Sequence, residues 1–435
     1  YRTFDSQYWS VPQRRTRIYL VADFNGESAG EVLFKSDGLS GYSAESFHAW
    51  QRTAGGTEDC IRATGFDGYN GSMTGDVVST LGTNCGMSSG RTGIVLNDQG
   101  GNRMDVTEDM TLKNTYGSVF GKMGTAVSIT ELRSPAILQL IKEQYNSITF
   151  GNETKQEELL ADSATLVSIA EAKERGYVIP ENYKDTKVPL FDFSVLDEGM
   201  KICAENGLGL RFHVLINPGQ NFEWFFREGF SETGDYVSPE VMDARMEFYI
   251  RTVMEHVYNN EYGHVIYAWD VTNEHLHAYD WNSPWVRVYQ EPILEPRFVK
   301  LAYEIADDVL RKHEIRDTVS LIFNEYDVYR TVNEGYAAQD IISILDYINS
   351  DKKICDGVGI QSHIWPEIPF DGKYKEALLA FLEAGYEVQI TEADLQKGTN
   401  GESTKEYEQY YCKFMKTLLE IAKDGGKITG LTFWG

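Results

Sequence analysis

The chain has 435 residues, 42% of them hydrophobic, with a mean hydropathy of −0.37 and a formal net charge of −26. That length can bury a sizeable core, and no apolar run approaches the roughly 20 residues that a membrane-spanning helix needs. The charge would repel phosphate backbones and anionic lipid surfaces, which argues against nucleic acid and membranes as partners and leaves neutral substrates.

Residues 1–109 are rich in Gly, Ser and Thr and carry short extended runs, as at Arg17–Phe24, Glu31–Phe34 and Gly93–Leu96, between turn signals. This is the pattern of a small, mostly-β, sandwich-like domain. The chain opens at Tyr1, without initiator Met or signal peptide, and reads as a trimmed or mature form. Its five cysteines, Cys60, Cys85, Cys203, Cys355 and Cys412, are scattered with no zinc spacing, so neither a metal nor a cofactor is expected. Cys60 and Cys85 have the option of pairing, but free buried thiols are the favoured reading.

From about residue 117 short apolar runs alternate with helical segments. Candidate strands lie at 120–128, 146–150, 209–216, 264–273, 319–324, 356–361, 387–392 and 428–434. Between them Ser134-Pro135 opens a helix, Ser194 caps another that ends at Gly207, and Ser238-Pro239 opens a third. Further helical patterns occupy 297–312, 335–348, 373–384 and 404–423. Such alternation over residues 110–435 implies a (β/α)8 TIM barrel, whose active site lies at the C-terminal ends of the strands. A doubly wound sheet is the alternative, but no Gly-rich phosphate loop follows the first strand.

Most of these strands close on polar or aromatic residues. Strand two ends in Thr149 and runs into Asn152 and Lys155, strand three carries His213 ahead of Gln220, and strand four ends in Asn273-Glu274. Strand five ends in Asn324-Glu325, strand six in Gln361-Ser362-His363, strand seven in Glu392 and Asp394, and strand eight in Trp434. One such carboxylate alone reads as a helix cap or a loop salt bridge; the convergence of seven strands is the signal. Glu274 and Glu392 would face one another across the mouth. Paired carboxylates without metal ligands suit glycosidic cleavage, one protonated and one ionised, retaining configuration at about 5–5.5 Å separation and inverting it at roughly 6.5–9.5 Å.

Trp269-Asp270-Val271-Thr272-Asn273-Glu274 resembles the WDVxNE signature of glycoside hydrolase family 10, the endo-β-1,4-xylanases. In the same order, Gly357–His363 resembles the family's GxGxQSH strand, Ile390–Asp394 its ITExD segment and Thr432–Gly435 its TFWG strand. The resemblance implies a retaining endo-β-1,4-xylanase acting on xylan and xylo-oligosaccharides, with Glu274 as acid/base and Glu392 as nucleophile. It further implies that Asn273 senses the sugar 2-hydroxyl, and that His363, Asp394 and Gln361 support the catalytic pair. Asn152, Lys155, His213 and Gln220 would hold hydroxyls on the non-reducing side, with Trp434 as the aromatic floor. Trp281 and Trp365 are candidates for stacking sugars on the reducing side, with ordinary loop packing as the other reading.

Four positions depart from the family pattern. Gly151 stands where the family has Glu, Gln156 where it has Trp, and Asn217-Pro218 where it has Trp-His. These imply altered substrate positioning with the chemistry intact. The family continues beyond TFWG, so a chain stopping at Gly435 is expected to leave an open barrel edge. Residues near Arg62–Gly71 resemble family 22 carbohydrate-binding modules, with a ligand-free β domain as the alternative. Asn152-Glu153-Thr154 is formally a glycosylation sequon whose glycan would block the cleft, which favours a bacterial source. A secreted or cell-surface monomer is expected. Two rivals stand beside the xylanase reading: a non-catalytic xylan-binding protein, and a barrel glycosidase acting on another β-glycan.

Overall fold

Strands buried on both faces form where short runs of Val, Ile, Leu and Phe are bounded by turn residues, and eight such strands build a closed parallel barrel. The computed structural model describes residues 111–160, 164–330, 337–364, 370–395 and 404–434, with five short strands nearer the N-terminus. Of those five, Arg2–Asp5 pairs antiparallel with Thr16–Tyr19, and Ala63–Asp67 pairs antiparallel with Ser72–Met73 and Ile94–Leu96. The other readings on residues 1–109, including the Cys60 and Cys85 thiols and the binding-module resemblance as a whole, lie outside the described residues. Trp365 and Gly435 lie outside them too.

The barrel strands are β1 (Lys122–Val127), β2 (Ser147–Phe150), β3 (Gly209–Ile216), β4 (Ile266–Asn273), β5 (Ser320–Glu325), β6 (Gly357–Ile360), β7 (Glu387–Leu395) and β8 (Ile428–Phe433). Each pairs in parallel with the next. β8 returns to β1, with Gly430 opposite Lys122 and Phe433 opposite Thr125. The open edge expected from the sequence is therefore absent: the closing hydrogen bonds come from β8 itself and need no element after it.

Helices follow the strands in chain order: α1 (Pro135–Gln144), α2 (Ser194–Asn206), α3 (Pro239–Asn259), α4 (Arg297–Lys312), α5 (Ala338–Ile348), α6 (Lys375–Glu383) and α7 (Thr404–Lys423). Their ends have local causes. Ser238 is the N-cap of α3 and Pro239 its first residue, where a missing N–H costs nothing. Gly207, at φ 65°, ends α2 in the left-handed conformation that glycine adopts most readily. Ser194 is not the cap of α2 but its first residue, and its amide donates to Asp192 Oδ1 at 2.9 Å. The N-cap position is Phe193, whose side chain has no capping group, so the aspartate before it supplies the acceptor.

Side-chain alternation along β4 explains why an apolar strand ends in costly groups. Trp269 faces the helices, its indole N–H donating to Tyr258 on α3 at 2.6 Å and its ring 4.2 Å from that of Phe212. Asp270 faces the barrel axis, where the Arg211 guanidinium pairs with both its oxygens; the Nε–Oδ2 bond is 3.0 Å. Both groups are buried, and removing one partner of such a pair costs about 3–5 kcal/mol. Gly359 on β6 makes room for them: a Cβ there would lie 2.4 Å from Asn324 Oδ1 and 3.0 Å from an Arg211 nitrogen.

Candidate active site

The C-terminal ends of β4 to β7 bring one hydrogen-bonded network to the mouth of the barrel. After Asn273 the backbone turns at Glu274 into the left-handed region, φ 50° and ψ 39°, and its N–H donates to the Asn324 carbonyl at 2.9 Å. The short helix His275–Asp280 starts there, with Glu274 at its N-cap position. The turn lifts the Glu274 side chain out of the strand, where Gln361 Nε2, at the end of β6, donates to its Oε1 at 2.8 Å.

Gln361 Nε2 also reaches Asn273 Oδ1 at 3.1 Å. That oxygen accepts a second bond, from Asn324 Nδ2 at 2.9 Å, and the same Asn324 nitrogen donates to Glu392 Oε1 at 2.9 Å. Thr391 fixes Asn324 from the other side, donating to its Oδ1 at 2.7 Å. Glu274 and Glu392 thus sit at the two ends of a path through Gln361, Asn273 and Asn324. Every link in it is a neutral amide, which orients without adding charge.

Glu392, on β7 and 5% exposed, has a charged partner as well. His363 Nε2 stands 3.0 Å from Glu392 Oε2, and His363 Nδ1 stands 3.0 Å from Asp394 Oδ1. Burial on its own would raise the Glu392 carboxyl; the His363 hydrogen bond, the charges of His213 and His363 and the Asn324 bond overcome it and bring the carboxyl down to about 2. For His363 burial favours the neutral ring, but hydrogen bonds and charges from Asp394 and Glu392 raise it to about 10. The imidazolium and the Glu392 carboxylate therefore coexist over the whole neutral range.

On the β2 and β3 side, Lys155 Nζ donates to Asn152 Oδ1 at 3.0 Å and to Gln220 Oε1 at 2.6 Å, while Gln220 Nε2 donates to the same Asn152 oxygen at 3.0 Å. Burial lowers the Lys155 ammonium, and the charges of Glu392 and Glu274 oppose that shift. His213 Nδ1 lies 2.9 Å from Asp270 Oδ2, which orients its ring, and the Trp434 ring meets it edge-on at 5.8 Å.

The unusual residues acquire physical roles. Asn217 Oδ1 accepts from Asn273 Nδ2 at 2.9 Å, so the residue that replaces an aromatic ring tethers the amide of Asn273. Its carbonyl receives the Trp285 indole N–H at 3.0 Å; Trp285 is 1% exposed and is core, not a sugar platform. Gly151 has no atom within 4 Å of where a Cβ would stand, so the missing side chain leaves open space. Trp281, at the end of the short helix, is 53% exposed. Among the described residues no three His, Cys, Asp or Glu side chains are grouped to hold a metal.

The candidate residues drawn from the sequence do not include Asn324, the hub of the network, or Arg211, which neutralises Asp270. Asn324 had a visible signal in the Asn-Glu ending of strand five. Arg211 lies two residues before His213, so strand alternation puts both on one face.

The model of the family described as glycosyl hydrolase family 10 matches residues 111–435. Endo-1,4-beta-xylanase A of Butyrivibrio fibrisolvens is 42% identical over 325 residues, covering 74% of this chain and 76% of the relative. Endo-1,4-beta-xylanase B of the same organism is 31% identical over 327 residues, covering 75% of this chain; the match spans about half of that relative, 47%. Among solved structures, the N-terminal modules of an endo-1,4-beta-D-xylanase of Clostridium thermocellum, complexed with xylohexaose, superpose with a TM-score of 0.61 at 24% identity, covering 82% of this chain and 66% of that one. A family 10 structure from Paenibacillus barcinonensis gives 0.57 at 20% identity, covering 73% and 85%. At these identities the two superpositions speak to the fold alone.

Proposed function

Because the chain belongs to glycosyl hydrolase family 10, we propose that it cleaves internal β-1,4 linkages of xylan by double displacement, with Glu392 as nucleophile and Glu274 as acid/base. The observation that carries this reading is the unlike setting of the two carboxylates. Glu392, held at about 2 by His363 and Asn324, is ionised at any pH where the protein would work. Glu274 has a neutral amide, that of Gln361, as its side-chain partner.

In the first step the Glu392 carboxylate attacks the anomeric carbon, the bond to the leaving sugar oxygen breaks, and the Glu274 proton passes to that oxygen. In the second, Glu274 takes a proton from water, the resulting hydroxide attacks the same carbon, and the Glu392 ester bond breaks. Two inversions restore the original configuration. Asn273 would bond a hydroxyl beside the reacting carbon, and Asn152, Lys155 and Gln220 would offer donors and acceptors to a sugar on the β2 side. The substrate is a polymer, so the site of action we infer is outside the cell or at its surface.

A fluorinated xylobioside that stalls the second step tests the assignment. Intact mass is expected to rise by one glycosyl group, and digestion to locate it on Glu392. A label elsewhere, or none while xylan is still hydrolysed, would overturn the reading. Mixed-linkage glucan and cellulose offered beside xylan test the substrate class.

A further inference from the structure

A residue at a helix N-cap ordinarily accepts the helix's own amide N–H with its side chain, yet the Glu274 side chain makes no such bond. The neighbouring strand supplies it. Glu325, the last residue of β5 and fully buried, accepts the Leu276 N–H at 3.0 Å on Oε2, two residues beyond Glu274. Its other oxygen accepts the Tyr326 N–H at 3.1 Å and lies 2.8 Å from Nδ1 of His277, a residue of the same short helix. The His277 ring stacks on Tyr326 with centroids 3.6 Å apart. Burial pushes the Glu325 carboxyl above the ordinary glutamate range, and the His277 bond and charge and the Leu276 amide offset that rise only in part.

We propose that Glu325 is a positioning residue for the acid/base: it caps the Glu274 helix from β5, frees the Glu274 side chain to reach Gln361 and the leaving group, and sets a negative charge beside it that helps it keep its proton. The other groups that face Glu274 are Lys155 from the β2 side, Tyr326 beyond β5 and Gln361 from β6. Lys155 opposes Glu325, and Gln361 is neutral.

The inference rests on Glu274 being the acid/base, and the pH dependence of kcat/KM separates the two claims. In Glu325→Gln the basic limb on xylan is expected to move down by about one pH unit. kcat/KM for a dinitrophenyl xylobioside, whose leaving oxygen needs no proton, is expected to stay near wild type. Should that variant fail to fold, Glu325→Asp keeps the charge but shortens its reach, and is expected to lower kcat on xylan several-fold with the basic limb in place. An unmoved basic limb in Glu325→Gln, or wild-type kcat in Glu325→Asp, overturns the proposal. Glu274→Ala is the control: full activity on xylan there would overturn the acid/base assignment itself.

Discussion

The two carboxylates at the barrel mouth are held by different means. Glu392 is buried, fixed by Asn324, and paired with a histidinium that is itself anchored by Asp394. Glu274 sits on a left-handed turn at the start of a six-residue helix, with one neutral amide on its side chain and a buried carboxylate, Glu325, behind its helix. The group proposed to stay ionised as nucleophile is surrounded by donors and positive charge. The group proposed to gain and lose a proton is oriented by a neutral amide and by backbone.

The largest effect should separate the two. Glu392→Ala is expected to lower hydrolysis of xylan and of an activated aryl xylobioside alike, by about 10⁴-fold or more. Glu274→Ala is expected to do so on xylan but to spare the formation of the glycosyl-enzyme from the activated substrate, seen as a burst of released phenol. Equal losses on both substrates would break the comparison.

The second prediction concerns the charge on Glu392. His363→Ala removes the chief cause of the depressed Glu392 carboxyl, so that carboxyl should rise from about 2, and the acid limb of kcat/KM should move to higher pH. The sign follows from linkage: with a lowered folded-state value, the stabilisation from ionised Glu392 is present above the ordinary glutamate range and is lost as pH falls through about 2. His363 is the reverse case, its contribution being present below the ordinary histidine value and lost as pH rises through about 10. Wild-type protein should accordingly show an alkaline loss of thermal stability that His363→Ala lacks.

Two smaller effects lie on the β2 side, the side proposed to hold sugar away from the bond that breaks. Lys155→Ala is expected to raise KM for xylotetraose roughly tenfold, the worth of about one charged hydrogen bond, with kcat changed less. Gly151→Glu should be the mildest of all. The space is open, so stability measured by denaturant should change by less than about 0.5 kcal/mol, while KM should fall if the new carboxylate finds a sugar hydroxyl.

Much of the fold was legible in the residues. The eight strand positions follow from apolar runs punctuated by turn residues, and the ends of α2 and α3 from Gly207 and Ser238-Pro239. The cap of α2 was misplaced by one residue, onto Ser194, because Phe193 at the N-cap carries no capping group and the acceptor for the Ser194 amide comes from Asp192 before it. The edge of the barrel was misread because closure depends on β8 meeting β1, a pairing of strands far apart in the chain. In the site, the polar strand ends pointed to Glu274, Glu392, His363 and Lys155, but not to the link that Asn324 makes between two strand ends.

What the sequence determined by itself is therefore local: which segments extend, which coil, and which side chains alternate to the inner face, because those follow from periodicity and from a few residues with special backbone preferences. The tertiary structure alone decided the electrical state of the site. Whether Asp270 is a liability depends on Arg211, whether Glu392 is ionised depends on His363, and whether Asn217 is a loss or a tether depends on Asn273. Each of these pairs joins different strands or their end loops, and a buried charge acquires its cost or its benefit from whichever group closure of the barrel sets beside it.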